Sequence, residues 1–339
     1  KAPPVLLFSH RGCFFFVSAF WGLVQTALDV FDSNFYKLSE TAGDIAGKRA
    51  EKIARKFINR LAEENPEGLS QAEDPDFQYA LYSAQKEFAR SGDEDLGDIL
   101  VDLLIDRSKQ KDRTTLQIVL NESLIVAPKL TEEQLAALSI MFLLQHTINP
   151  GILDHETLGA YFDLNILPFT DTLSSTDSCY QHLAFTGCGS ISALGSELPR
   201  LLEGRYQGLF FRGFGQETYD EKDLPDEVIQ KLIIPCLNDT TKFQVNAISN
   251  KQLTEKLLSL DLDDNTRKQV SHLFNMNKLN KEEIKNKCIE IRPYMESVFQ
   301  VWSESMIGRI NLTSVGVAIG HANVKRLVGE FTTNLSTWI

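Results

Sequence analysis

The chain has 339 residues, enough for two domains of ordinary size or for one extended helical array. Apolar residues make up 43% and charged residues 24%, which excludes global disorder. The net charge of -12 excludes a general binder of the nucleic-acid backbone, because the long-range field repels phosphates.

His10 and Arg11 precede an apolar run from Gly12 to Val24 that has the length of a signal-peptide core. It is shorter than the roughly 20 apolar residues that a transmembrane helix needs. Gln25, Thr26 and Ala27 make a poor cleavage site. Residues 1–25 are therefore set apart as an apolar N-terminal segment, read first as terminal packing and second as a signal or membrane anchor. The cysteines Cys13, Cys179, Cys188, Cys236 and Cys288 are scattered, with neither a disulfide framework nor a zinc pattern. That spacing points to a reducing, cytoplasmic compartment, with a secreted or membrane-anchored protein as the alternative.

Residues 26–64 read as one long helix. Leu28, Phe31, Phe35, Leu38, Ala42 and Ile45 alternate at spacings of three and four, which is a heptad seam. Ala46, Ala50, Ile53, Phe57 and Leu61 continue on a face that drifts round the helix. The seam can lie against its own domain or act as a dimerisation arm, with Leu28, Phe31, Phe35, Leu38 and Ile45 as the interaction residues. Lys48 to Lys56 (KRAEKIARK) is the most basic stretch and reads as a solvated helix face with partners on the same helix.

Asp74 and Pro75 cap the next helix, whose apolar face is Phe77, Ala80, Leu81, Ala84 and Phe88. Ser91, Gly92 and Asp93 break it. From Glu94 a helix carries Asp95, Asp98, Asp102 and Asp106 within about 80° of arc, while nearly everything else on it is apolar. A helix follows over 113–127, then another opened by the capping box Thr131 to Gln134 and stopped at Asn149, Pro150 and Gly151. From 150 to 220 the texture turns to glycine, serine and aromatic residues, with Leu209, Phe210 and Phe211 as a place for a short hairpin. Helices resume at 225–236, 250–260, 263–275, 280–290, 293–307 and 313–329. In the last of these, Gly316 and Gly320 imply close helix contact.

The four aspartates could hold a divalent metal if acids from a facing helix met them, and Glu122, Glu132 and Glu133 are the partners within reach. The plainer reading is a solvated edge or salt bridges to Arg90, Arg107 or Arg113. Cys179, His182 and Cys188 form a Cys/His cluster with three ligands where structural zinc wants four. Cys188 between glycines, with His182 as its base, is a weak candidate catalytic pair against plain loop packing. Asp261 to Asn265 begins like a calcium loop but has Thr266 and His272 where glycine and glutamate are needed, so it reads as a helix cap. Gly213-Phe-Gly215 is uninformative as a dinucleotide motif. His321, with Lys325 and Arg326 one turn on, could bind an anion, against a default of helix packing.

Residues 77–131 (FQYALYSAQKEFARSGDEDLGDILVDLLIDRSKQKDRTTLQIVLNESLIVAPKLT) and 318–331 (AIGHANVKRLVGEF) resemble a family of uncharacterised bacterial proteins, with the likeness running from about residue 26 to the end. The resemblance implies a bacterial, soluble, helical protein and carries no activity or catalytic residue.

The fold expected is mostly α: a multi-helical antiparallel array with a long N-terminal helix and room for a short hairpin in the centre. Its segments are 1–25, a helical block 26–148, a junction 149–222 and a second helical block 223–339. The leading function is a non-enzymatic interaction or scaffold protein with a protein partner or self-association, no cofactor, no nucleic acid and no membrane. The alternatives are a magnesium-dependent hydrolase of a phosphorylated substrate through Asp98, Asp102 and Asp106, and membrane association through the Phe-rich N-terminus.

Overall fold

The computed structural model describes residues 39–222, 224–329, 331 and 333–339, and there the chain is mostly α-helical. The segment 1–25 and the seam residues Leu28, Phe31, Phe35 and Leu38 lie outside the described residues. Helix α1 covers 39–64. Its second half buries Ile53, Phe57 and Leu61 at 2% exposure each, since a spacing of four keeps them on one face. Its first turns do the opposite. Residues 39–45 are all exposed, Ile45 at 46%.

Helix α2 (Pro75–Ser91) begins where the Asp74 carboxylate accepts from the Asp76 N–H and ends at Gly92, whose φ of +66° is the left-handed turn that glycine adopts freely. Asp93 then accepts from the Leu96 N–H at 3.1 Å and starts α3 (Glu94–Ser108). The chain reverses twice here. Arg49 on α1 donates to the Ala89 carbonyl near the end of α2, and the Phe57 ring lies 5.9 Å from that of Phe77 near its start. Phe88 packs on Gly97, while Arg107 at the other end of α3 meets Asp76 at 2.7 Å. The result is that α1 and α3 run parallel with α2 antiparallel to both.

Helices α4 (Thr115–Val126) and α5 (Glu132–His146) follow, the second opened by the capping box of Thr131 and Gln134. Then come α6 (His155–Tyr161), a π turn at Phe162–Ile166, α7 (Asp177–Phe185), strand β1 (Gly189–Ile191), α8 (Leu198–Arg205), α9 (Gln216–Asp220) and α10 (Asp226–Leu232). Two expectations are corrected here. Leu209, Phe210 and Phe211 form no hairpin: Gln207–Leu209 is a 3-10 turn, and Phe211 makes a single bridge to Lys278. The hairpin is β2 (Ile233–Pro235) against β3 (Phe243–Val245), so the helix expected to 236 stops at Leu232. The reason is local. Ile233, Ile234 and Pro235 favour extended backbone, and Asp239, accepting from the Thr241 N–H, turns the chain back.

The remaining elements are α11 (Asn250–Leu258), α12 (Asp264–Asn275), α13 (Lys281–Ile291), α14 (Met295–Glu304), β4 (Ile310–Leu312) and α15 (Ser314–Val328). Strand β4 pairs antiparallel with β1, Gly189 opposite Leu312. The larger apolar cluster draws on residues from Ile53 to Leu335, and a smaller one on residues from Phe211 to Phe274. Helix α15 enters the larger cluster against α3, α4 and α5. Its glycines allow this: a Cβ at Gly320 would stand 2.8 Å from the Leu138 carbonyl oxygen, and one at Gly316 would strike the carbonyl of Cys188. Among the described residues, no helix is long and apolar enough to cross a membrane.

Candidate functional site

Helix α3 is buried on nearly all sides, with Ile99, Leu100, Val101, Leu104 and Ile105 fully enclosed, so its aspartates cannot all face bulk water. They lie in the seam where α1, α3 and α15 meet. Lys52, Lys56 and Arg60 of α1 repeat at a spacing of four, as do Glu94, Asp98 and Asp102 of α3. In parallel helices such rows stay in register, each step rising about 6 Å. Lys52 meets Glu94 at 2.6 Å, Lys56 pairs with Asp98, and Arg60 meets Asp102 at 2.6 Å.

Helix α15 supplies a second set of cations. Arg326 meets Asp95 at 2.6 Å, and Lys325 stands 3.5 Å from the same Asp102 oxygen that Arg60 holds. Asp106 is paired within its own helix region, with Lys109 at 2.9 Å. Asp102, 3% exposed, therefore sits between two cations from different helices. Like charges at a spacing of four cost only tenths of a kcal/mol on an isolated helix, and an opposing row of cations more than offsets that. This corrects the expected partners. Arg90 pairs with Glu87, and Arg107, fully buried, pairs with Asp74 and Asp76. The row is graded, with Asp102 buried, Asp98 and Asp106 half-buried and Asp95 exposed, and each of the four is paired with a cation.

Beside the seam lies a cavity of about 590 Å³. Among the described residues, its walls come from Arg60 and Glu64 on α1, the Asp98, Asp102 and Asp106 row, Lys109, the α15 residues His321, Lys325 and Arg326, and Gly329, Phe331, Thr333, Asn334 and Leu335. His321 is 2% exposed and boxed by the rings of Phe142, Phe331 and Trp338, each with its centroid within 5.8 Å. Its Nε2 lies 3.0 Å from the Thr333 carbonyl oxygen, which can only accept, so Nε2 carries the proton. Burial holds the imidazole below its usual value, which favours the neutral form. In that tautomer Nδ1 is a lone-pair acceptor, buried, with no hydrogen-bond partner among the described residues.

Among the described residues, no group of three His, Cys, Asp or Glu side chains is gathered so as to hold a metal ion. Glu122 lies in a different cleft, with Asp74, Asp76 and Arg113. Cys188 is fully buried, its thiol pushed up by burial, with the Thr186 hydroxyl donating to it at 3.6 Å. His182 meets the Gln134 side chain at 2.9 Å through Nδ1, and burial pushes Cys179 up to about 11. Neither thiol carries the lowered pKa of an activated nucleophile. Asp263 caps α12 by accepting from the Thr266 N–H at 2.8 Å, and Phe214 of Gly213-Phe-Gly215 bridges Phe243. What sequence reasoning missed is the α1 row. Its signal was visible, because Lys52, Lys56 and Arg60 have the same spacing as the acids they meet.

Fold and site together define an α-helical protein built round an ion-paired interhelical cavity. The chain belongs to an uncharacterised protein family, matched over residues 23–339. No curated protein and no solved structure matches it.

Proposed function

We propose that this is a non-enzymatic interaction protein, cytoplasmic and of bacterial type, that associates with a second copy of itself through the N-terminal end of α1. The observation that supports this is the change of face along one helix: Ile53, Phe57 and Leu61 are buried in the body, while Ala42 and Ile45 on the heptad seam are exposed. The same alternation of three and four runs back through Leu38, Phe35, Phe31 and Leu28, and it is the pattern by which two helices interlock. Four free cysteines, Cys179, Cys188, Cys236 and Cys288, are buried separately, which fits a reducing compartment. Light scattering on the full chain during size exclusion is expected to give a dimer or larger assembly, and the Leu38→Asp, Ile45→Asp variant a monomer. A monomeric parent chain at every concentration would remove the arm.

A hydrolase using a divalent metal at Asp98, Asp102 and Asp106 is the second reading, favoured by the cavity beside those carboxylates. The ion would have to displace Lys56, Arg60 and Lys109 from them. This reading calls for a magnesium-dependent rise in melting temperature that disappears in the Asp98→Asn, Asp102→Asn variant. An unchanged melting curve would end it.

A further inference from the structure

We infer that the α1 arm is received by the groove between α2 and α4 of a second copy, each copy laying its arm on the other. This rests on the association reading and deepens it by naming the surface that takes the arm.

The groove follows from which residues of the two helices meet. The Asn121 side chain of α4 donates to Asp76 of α2 at 2.8 Å, and farther along the same pair Tyr79, Tyr82 and Ile125 line one cavity of about 300 Å³. Ile118 lines a second cavity, of about 550 Å³, with Asp76 and Asn121. Residue numbers rise together along both helices, so α2 and α4 lie parallel and the two cavities follow one another between them. From Ile118 to Lys129 the groove runs about three turns. Single apolar side chains on a surface need no explanation, but several large ones along one groove do. Tyr79 is 61% exposed, Tyr82 60%, Ile118 50% and Ile125 36%. A groove of this kind, with apolar side chains between two helices, takes the apolar stripe of a third.

Charge selects which helix that is. Where α2 ends, Lys86, Arg90 and Lys129 share the groove with one carboxylate, Glu87, which pairs with the first two, and this leaves the groove basic there. At the other end Arg107, Lys111 and Arg113 balance Asp74, Asp76 and Glu122. The arm is acidic. Residues 26–45 carry Asp29, Asp32, Glu40 and Asp44 against Lys37, with Asp32 beside the seam residue Phe31. The root of the arm also lies in the right place. Arg49 of α1 donates to the carbonyls of Ala89 and Arg90, which sets that root at the basic end of the groove. Because α1 is antiparallel to α2, its turns before Arg49 pass the end of α2 and leave their own groove behind, and residues 39–45 are all exposed there. A two-fold axis beside this end carries each arm onto the groove of the other copy.

The test is light scattering during size exclusion on the full chain, the arm variant Leu38→Asp, Ile45→Asp and a groove variant Tyr79→Glu, Ile125→Glu. The parent is expected to be a dimer and both variants monomers. Mixing the two variants should restore a dimer, because the intact arm of one meets the intact groove of the other. Both groove positions are exposed, and an unchanged melting temperature checks that this variant folds. Lys86→Glu with Lys129→Glu is a second groove variant, also at exposed positions. It should weaken the dimer about tenfold at low salt and less at high salt. A groove variant that stays dimeric beside a monomeric arm variant, or two monomeric variants that fail to dimerise on mixing, would overturn the groove and leave the association through α1 standing. A charge variant that dimerises as the parent does at low salt would also overturn it. A monomeric parent, or a dimeric arm variant, would remove the association reading and this inference together.

Discussion

At the scale of single residues, the molecule turns on Asp102. Its carboxylate is 3% exposed and held between Arg60 and Lys325, whereas Lys52 and Glu94 meet in water at the other end of the same row. Removing one partner of a buried pair leaves the others uncompensated, so Asp102→Asn is expected to cost about 3 kcal/mol in chemical denaturation. Lys52→Ala should cost roughly 0.5 kcal/mol or less, because exposed pairs are screened and entropically expensive. Equal losses in the two variants would contradict the graded burial of the row. Histidine supplies a pH prediction. Burial lowers His146, His155 and His321 below 6.5, so the unfolded chain takes up protons before the folded one does. Stability is therefore full above about 6.5 and drains away as the pH falls through that value toward the depressed ones. Denaturation midpoints measured from about pH 7 to about pH 5 should fall, and fall less steeply in His321→Phe.

At the scale of elements, glycine separates two kinds of helix. Gly316 and Gly320 on α15 are packed against the carbonyls of Cys188 and Leu138, whereas a Cβ at Gly43 or Gly47 on α1 would meet nothing within 4 Å. Gly316→Ala must push backbone aside and should destabilise by about 2 kcal/mol, as overpacking does. Gly43→Ala with Gly47→Ala should instead stabilise α1 by about 0.5 kcal/mol or more, through helix propensity and a less flexible unfolded chain. Thermal melts of the two variants should move in opposite directions. Most helix limits could be read in advance, because caps are local chemistry: Asp74, Asp93, Thr131, Asp263 and Asn280 each accept from a backbone N–H of their helix's first turn. The hairpin at 233–245 was not legible. Val228, Ile229 and Leu232 continue into Ile233 and Ile234 without a break in apolar pattern, and a short apolar run fits helix and strand equally.

At the scale of the whole molecule, the acidic row of α3 and the basic row of α1 are one feature seen from two sides. Salt should weaken it. Hydrogen exchange of α1 is expected to speed up between low and high ionic strength more than that of α5, whose core residues Leu138, Ile140 and Met141 are apolar and fully buried. Equal acceleration in both helices would show that the row does not hold α1 down. Sequence by itself determined the mostly helical class, the helix that starts at Glu94, the single narrow stripe of its aspartates and the close approach of Gly316 and Gly320. Each of these depends on residues within a few turns of one another. Only the tertiary structure decided what the stripe faces. The partners Lys56, Arg60, Lys325 and Arg326 are separated from it by dozens to hundreds of residues, and two chain reversals and the insertion of α15 bring them together. The cavity and the buried Nδ1 of His321 arise at that same meeting of three helices, for which no local pattern exists.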